Sequence, residues 1–184
     1  LKSVRGQINK LDFLIQALVK TSRLETGVIQ LEKEDHFIYD TLAQAMSGIL
    51  YSAEQKKIHV SVECPEDVCV SHDSKWTEEA IFNLLDNAVK FSNDNSSITL
   101  ETTVNHGKVF VSVKDHGSGI PKESLSRIWD RFYKIDASRG KDRKGTGLGL
   151  AIVKEIINAH KQNINVISTV GVGTEFIFTL EKAK

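Results

Sequence analysis

Two carboxamides and an ammonium offer the first chemistry. In the run Asn83-Leu-Leu-Asp-Asn87-Ala-Val-Lys90, Asn83, Asn87 and Lys90 stand at i, i+4 and i+7, which is one face of a helix, with Leu84, Leu85 and Ala88 pointing elsewhere. Carboxamide oxygens suit magnesium, which keeps several waters and takes few protein oxygens beside substrate phosphates. The ammonium suits a phosphate. A solvated polar helix face has the same composition. Asp115-His-Gly117-Ser-Gly119-Ile120-Pro121 follows a strand-like run. Its aspartate can accept a hydrogen bond from an exocyclic amine, and its glycines allow close backbone approach. An ordinary glycine-rich turn reads the same way. Gly145-Thr146-Gly147-Leu148-Gly149-Leu150 runs straight into a helical segment, where free N–H groups and the helix dipole favour an anion. No Gly-Lys-Ser/Thr follows and no strand precedes, so neither a Walker A loop nor a dinucleotide fingerprint fits. Gly171-Val-Gly173-Thr174-Glu-Phe176 alone says only hairpin.

These residues need elements to hold them. Apolar positions Val4, Ile8, Leu11, Ile15 and Leu18 step by four, three, four and three, a heptad seam that Leu14 widens and Gly27 stops. Such a helix either packs on its own domain or forms half of a dimerising hairpin; the seam favours the second. Residues 28–34 read as a short strand or extended connection. A helix is predicted over 35–57, with Phe37, Ile38, Leu42, Ala45 and Ile49 on one face. A strand follows at Ile58, Val60 and Val62, with 68–70 as its short partner after Pro65. The spacing predicts a helix over 74–92 and a hairpin of 98–104 with 109–114 around a glycine-bearing turn. Pro121 opens a helix predicted to reach about Arg131. Residues 136–147 form a polar loop, long enough to read as a lid. A helix over 149–160 and a strand pair end the chain. This order is not alternating βαβ, so a doubly wound parallel sheet is disfavoured. The fold class expected is α+β: a two-layer sandwich with a mixed, mostly antiparallel sheet, helices on one face and one long helix in front.

Composition narrows the partners. The 184 residues carry 24 Lys+Arg and 24 Asp+Glu, for zero formal net charge, so no basic excess points to nucleic acid. No apolar run reaches the length of a membrane span. Cys64 and Cys69 lack companions for a zinc site; a disulfide across their turn is the minor alternative to two free thiols in a reducing compartment. The chain starts at Leu1 and reads as a piece of a longer protein.

Taken in order, the Asn stripe, Asp-x-Gly-x-Gly, Arg131-Phe132-Tyr133, Gly-x-Gly-x-Gly and Gly-Thr-x-Phe resemble the asparagine, phenylalanine and glycine boxes of sensor histidine kinases of two-component signalling. The resemblance covers residues 28–181. It implies a Bergerat-type ATP-binding domain over 28–184 with an ATP lid at about 133–147. Residues 1–27 become the second helix of a dimerisation hairpin, leaving through Ser22-Arg-Leu-Glu-Thr-Gly27. It further implies ATP and Mg2+ as cofactors. Asn87 would be a metal ligand supported by Asn83, and Lys90 would reach the phosphates. Asp115 would bond the adenine amino group, with Gly117, Gly119 and Ile120 around the base. Gly145, Thr146, Gly147 and Gly149 would cradle phosphates, with Leu148 and Leu150 shaping the pocket and Thr174 touching the base through water. Lys134, Arg139, Lys141, Arg143 and Lys144 would add positive charge in or beside the lid, or simply form a solvated basic loop.

The implied reaction moves the γ-phosphoryl group of ATP to a histidine, for relay to a response regulator receiver domain. The implied partners are the chain's own hairpin and a second protomer. The domain is expected in the cytoplasm without direct membrane contact, its parent anchored in the membrane. None of His36, His59, His72, His106, His116 and His160 lies in the acceptor motif His-Glu-x-x-Thr/Arg-Pro, so no catalytic acceptor is assigned here, and ATP is expected to leave no acid-labile label on this chain. The sequence departs from the family at His116, where Asn is usual and an outward side chain is expected. Lys161-Gln162 stand where Gly-Gly is usual. Rival readings are a hydrolytic ATPase as in gyrase, whose general-base glutamate is Asn83 here, an anti-sigma-type serine kinase, and a non-enzymatic module on the same fold.

Overall fold

The computed structural model describes residues 2–27, 30–135 and 145–184. Residues 139, 141, 143 and 144 of the expected basic lid lie outside them. The elements run α1 (Lys2–Glu25), β1 (Glu34–Phe37), α2 (Ile38–Ser47), α3 (Leu50–Gln55), β2 (His59–Glu63), β3 (Cys69–His72), α4 (Ser74–Phe91), β4 (Ser97–Asn105), β5 (Lys108–Asp115), α5 (Gly149–Ala159), β6 (Ile164–Thr169) and β7 (Gly173–Lys182).

One mixed sheet results, ordered β1-β3-β7-β5-β4-β2, with β6 on β7 as well. Among the described residues only the β2–β4 pairing is parallel. Alternation sorts its faces. Ile98 and Leu100 of β4, Val109, Val111 and Val113 of β5, and Phe176, Phe178 and Leu180 of β7 are buried. Against them lie Leu84, Leu85 and Ala88 of α4 and Val153, Ile156 and Ile157 of α5, each set at three- or four-residue spacing. The α+β sandwich expected from the motif order is the architecture found.

Three local expectations fail. The segment 35–57 is not one helix. Its first residues pair antiparallel with β3 as β1, leaving Phe37 about half exposed. Helix then breaks at Gly48, where a side-chain carbon would stand 3.0 Å from the Phe82 ring. Second, β3 is not the partner of β2: it pairs with β1 and β7, while β2 pairs with β4. Cys64, just after β2, and Cys69, the first residue of β3, therefore belong to strands with β7, β5 and β4 between them, and both are free thiols. Third, Pro121 opens only the 3-10 turn Lys122–Ser124. The stretch is tied at both ends, by Ile120 N–H to Ser168 Oγ (2.8 Å) and Phe132 N–H to the Gly147 carbonyl (2.9 Å). Within it the chain closes mostly i→i+3 turns, with the single i→i+4 bond of Ile128 N–H to the Ser124 carbonyl, rather than a continuing α-helix.

Helix α1 divides its two faces. Ala17, Thr21 and Leu24 are buried, and the helix packs against α5. Lys20 bonds Glu79 of α4 (2.9 Å), and Glu25 pairs with Arg131. Val4, Ile8, Leu11 and Ile15 remain more than half exposed. Leu14 and Leu18 of the same apolar series are partly buried and pack on the core. At the end of α5, Lys161 adopts φ +57°. Its N–H bonds the Asn158 carbonyl and the Gln162 N–H the Ile157 carbonyl, so a lysine occupies a left-handed cap at a cost of about 1 kcal/mol.

Two buried histidines join the far edge. His160 Nδ1 donates to the Ile156 carbonyl (2.8 Å) and Nε2 accepts the Asp73 N–H (3.1 Å). His72 Nδ1 donates to the Val70 carbonyl, and Nε2 lies 2.8 Å from Thr41 Oγ1. Asp73 caps α4 at the Trp76 N–H and holds the Glu32 N–H. Burial pushes both histidines below their ordinary value. The unfolded chain therefore takes up their protons first, and their share of stability is lost as pH falls below about 6.5. We expect a lower urea midpoint at pH 5 than at pH 7, and a flatter pH dependence in His72→Gln/His160→Gln. An equal midpoint at both pH values would clear the pair of that role.

Candidate nucleotide site

Asp115 ends β5, its side chain turned back and 7 % exposed. Its Oδ1 accepts the Gly117 N–H at 2.8 Å and the Thr174 N–H at 3.2 Å. One carboxylate oxygen thus fastens two glycine-bearing turns, one directly after Asp115 and the other ending at Thr174, 59 residues further on. Burial pushes its carboxyl up, an effect partly offset by those two amides. His116 points outward, as expected, with Nδ1 donating to the Ser97 carbonyl (3.0 Å).

The turn after Asp115 is built by close approaches. A side-chain carbon on Gly117 would meet the Phe91 carbonyl oxygen at 2.4 Å, and one on Gly119 would meet that of Thr169 at 2.2 Å. Ser118 N–H donates to the Phe91 carbonyl (3.2 Å), and Gly171 N–H to that of Ser118 (2.9 Å). Ile120 is buried. Thr174 is buried too, its Oγ1 2.8 Å from Ser168 Oγ.

The third glycine segment meets α4. A carbon on Gly149 would sit 3.7 Å from Asn83 Oδ1, and one on Gly145 would sit 3.7 Å from Lys90 Nζ. The loop that opens α5 therefore lies along the Asn-Lys stripe. Gly147 presses on Phe132 and has φ +75°. Thr146 Oγ1 accepts the Leu148 N–H (3.2 Å) just ahead of α5, Leu148 is buried and Leu150 partly so. Asn83 and Asn87 are half-buried on the same face.

Lys90 is bonded to Asp86 Oδ2 at 2.7 Å, a partner the motif reading did not assign. Lys134 is exposed, and among the described residues no contact ties it to this group. Ser168 was also missed. It accepts the Ile120 N–H, donates to the Gly173 carbonyl (3.1 Å) and touches Thr174. The alternation of β6 could have put it on one face with Ile164 and Val166, but nothing local says what that face meets. Glu79 is ion-paired to Lys20. A groove of about 580 Å3 between α1 and the α2–α4 face, sharing Asn83 with this group, is lined by Phe13, Lys20, Gly48 and Phe82, among others.

The donor set fits magnesium only with help. Among the described residues no three His, Cys, Asp or Glu side chains gather to hold a metal. Two carboxamide oxygens suit an ion whose shell is completed by ligand oxygens and water.

Comparison with known proteins bears on this arrangement. The profile of the family described as "Histidine kinase-, DNA gyrase B-, and HSP90-like ATPase" matches residues 72–184. The chain is 31 % identical over 179 residues to the sensor protein SrrB of Staphylococcus aureus (strain NCTC 8325 / PS 47), covering 97 % of this chain and 31 % of that protein. It thus spans about a third of the length of the curated relatives it matches. A crystal structure of full-length ShkA in complex with AMPPNP superposes with a TM-score of 0.85 at 26 % identity, over 99 % of this chain and 38 % of that one. The catalytic domain of histidine kinase ThkA, in a nucleotide-free form, superposes with a TM-score of 0.72 at 26 % identity, over 83 % and 97 %.

Proposed function

The chain belongs to the histidine kinase-, DNA gyrase B- and HSP90-like ATPase family, and from that premise we propose that it is the catalytic domain of a sensor histidine kinase, binding ATP with magnesium and passing the γ-phosphoryl group to a histidine on the dimerisation hairpin. The approach of Gly145 and Gly149 to Lys90 and Asn83 carries this reading. It makes a place for a polyphosphate between backbone N–H groups at the start of α5 and a carboxamide face of α4.

Asp115 would accept from the exocyclic amine of adenine, its position set by the two amides on Oδ1. Thr174 would reach the base through water. Asn87 and Asn83 would hold Mg2+, which supplies charge neutralisation between phosphates. Lys90 would exchange Asp86 for a phosphate oxygen. Transfer of this kind needs positioning and charge more than a covalent step by the protein. His72 and His160 are buried and bonded at both ring nitrogens, so neither suits a phosphoacceptor.

Two observations weigh against a hydrolase. Asn83 is a carboxamide, which cannot take a proton from water as a glutamate can. Glu79, one turn earlier, is held by Lys20. The exposed seam of Val4, Ile8, Leu11 and Ile15 suits the other hairpin helix and a second protomer, which makes residues 1–27 the hairpin's second helix and the remainder the catalytic domain. A response regulator receiver would then take the phosphoryl group. No helix among the described residues is long and apolar enough to cross a membrane; a cytoplasmic domain of a membrane-anchored parent is the placement that fits ATP use.

Calorimetry with a non-hydrolysable ATP analogue, with and without magnesium, tests the site. We expect binding that strengthens with magnesium and weakens about tenfold in Asn87→Ala, a loss of about 1.4 kcal/mol, with most of the magnesium dependence gone. Absence of binding by the wild type would overturn the proposal in favour of a non-enzymatic module.

A further inference from the structure

Lys56 follows α3 and lies far from the glycine segments in sequence, yet its half-buried side chain ends against α4. Its Nζ donates to the carbonyls of Val89 (2.7 Å), Lys90 (3.4 Å) and Ser92 (2.5 Å). These belong to the last turn of α4 and its cap, where carbonyls lack helical partners and the dipole favours a cation. The backbone of Lys56 adds to the hold, its carbonyl accepting the Asn95 N–H at 2.9 Å, while His59 N–H bonds the Ser96 carbonyl at 3.0 Å.

That same turn of α4 is the wall of the base pocket. The Phe91 carbonyl, between those Lys56 holds, accepts the Ser118 N–H. Ser92 forms an isolated bridge with Gly117. The Phe91 carbonyl oxygen fills the space where Gly117 would carry a side chain. Lys90 itself, on the phosphate side, has its carbonyl on Lys56. One ammonium is thus tied to the residue that faces phosphate and to the segment that backs the turn after Asp115.

We infer that Lys56 is a positioning residue for the nucleotide site, setting the C-terminal turn of α4 so that the Asp115–Gly119 turn and Lys90 are presented together. The inference rests on the nucleotide-binding reading above. It assigns Lys56 no contact with the nucleotide. Its effect is carried by the Ser118–Phe91 hydrogen bond and the Ser92–Gly117 bridge.

The test compares wild type, Lys56→Met, Lys56→Arg and Thr41→Val. The last removes a buried hydrogen bond to His72 on β3 and serves as a destabilised control. Amide hydrogen exchange without nucleotide is read at Gly117 and Ser118, and affinity for the ATP analogue is read by calorimetry below every melting transition. In Lys56→Met we expect at least tenfold faster exchange at these two amides, unchanged exchange at Val166 and Phe176, and about tenfold weaker binding. Lys56→Arg, which still donates to carbonyls, should recover binding to within threefold of wild type. Thr41→Val should lose stability without either change. Unaltered exchange and affinity in Lys56→Met, or changes that Thr41→Val matches, would overturn the inference while the wild type still binds. Failure of the wild type to bind would overturn the nucleotide reading and this inference together.

Discussion

Asp115→Asn is expected to fold and to lose ATP-analogue affinity by about a hundredfold, which corresponds to about 2.8 kcal/mol. The substitution separates two jobs of one side chain. Oδ1 holds the Gly117 and Thr174 amides, and an asparagine oxygen in the same place can still accept both. The other oxygen becomes an amino group, so a donor would face the exocyclic amine of adenine. A site built to make a hydrogen bond discriminates strongly when its partner no longer matches. Inosine triphosphate carries a carbonyl where ATP carries that amine, so the variant should narrow or invert the preference for ATP over it. Asp115→Ala does something different. It strips an acceptor from two amides beside a buried site, at about 1–3 kcal/mol each, and should lower the unfolding midpoint as well as the affinity. Calorimetry with both nucleotides, beside urea unfolding, reads all of this. Wild-type affinity in a folded Asp115→Asn would take Asp115 out of base recognition and leave it as a clasp between two turns.

The clasp that Asp115 makes between two distant turns marks the limit of what the sequence could say. Asp115, Gly117 and Gly119 were legible because they stand within five residues of one another after an alternating run. The α4 stripe was legible because Asn83, Asn87 and Lys90 repeat at helical spacing, and the β4–β5 hairpin because a four-residue turn fixes its register. Each of these is a local signal. Strand pairing of four-residue elements is not. Residues 35–37 read as the start of a helix and join β1 only because β3 offers an edge. The parallel pairing of β2 with β4 likewise has no local signature. Pro121 is a helix opener by preference, but Ser168 and Gly147 hold the segment at both ends and impose turns. Ser168 and Lys56 went unseen because their partners lie on other elements. The dual character of α1 was half visible: its apolar seam repeats in heptads, whereas the face on α5 rests on Ala17, Thr21 and Leu24, two of them too small or too polar to announce a core.

The same clasp predicts which glycines are irreplaceable. Gly107, Gly171, Gly119 and Gly173 have φ of +75°, +78°, +73° and +149° respectively. By backbone conformation alone, an alanine would cost each of them about 1–2 kcal/mol. Surroundings separate them. Nothing lies within 4 Å of a carbon added at Gly107 or Gly171. A carbon on Gly173 would meet the Asp115 carbonyl oxygen at 2.1 Å, and one on Gly119 would meet that of Thr169 at 2.2 Å. Both obstacles are backbone, on strands whose ladders would have to shift, so overpacking adds about 1–3 kcal/mol to the conformational cost. Gly173→Ala is thus expected to lose about 2–5 kcal/mol in urea unfolding, against about 1–2 kcal/mol for Gly107→Ala. The functional effect should differ more sharply. Moving the Asp115 carbonyl moves the carboxylate that we propose faces the base, so Gly173→Ala, still folded at low temperature, should bind the ATP analogue at least tenfold more weakly. Gly107→Ala, in a hairpin turn at the other end of β5, should bind as the wild type does. Equal losses in the two variants would mean that β7 does not press on Asp115 as described, and that the two turns find their spacing without it.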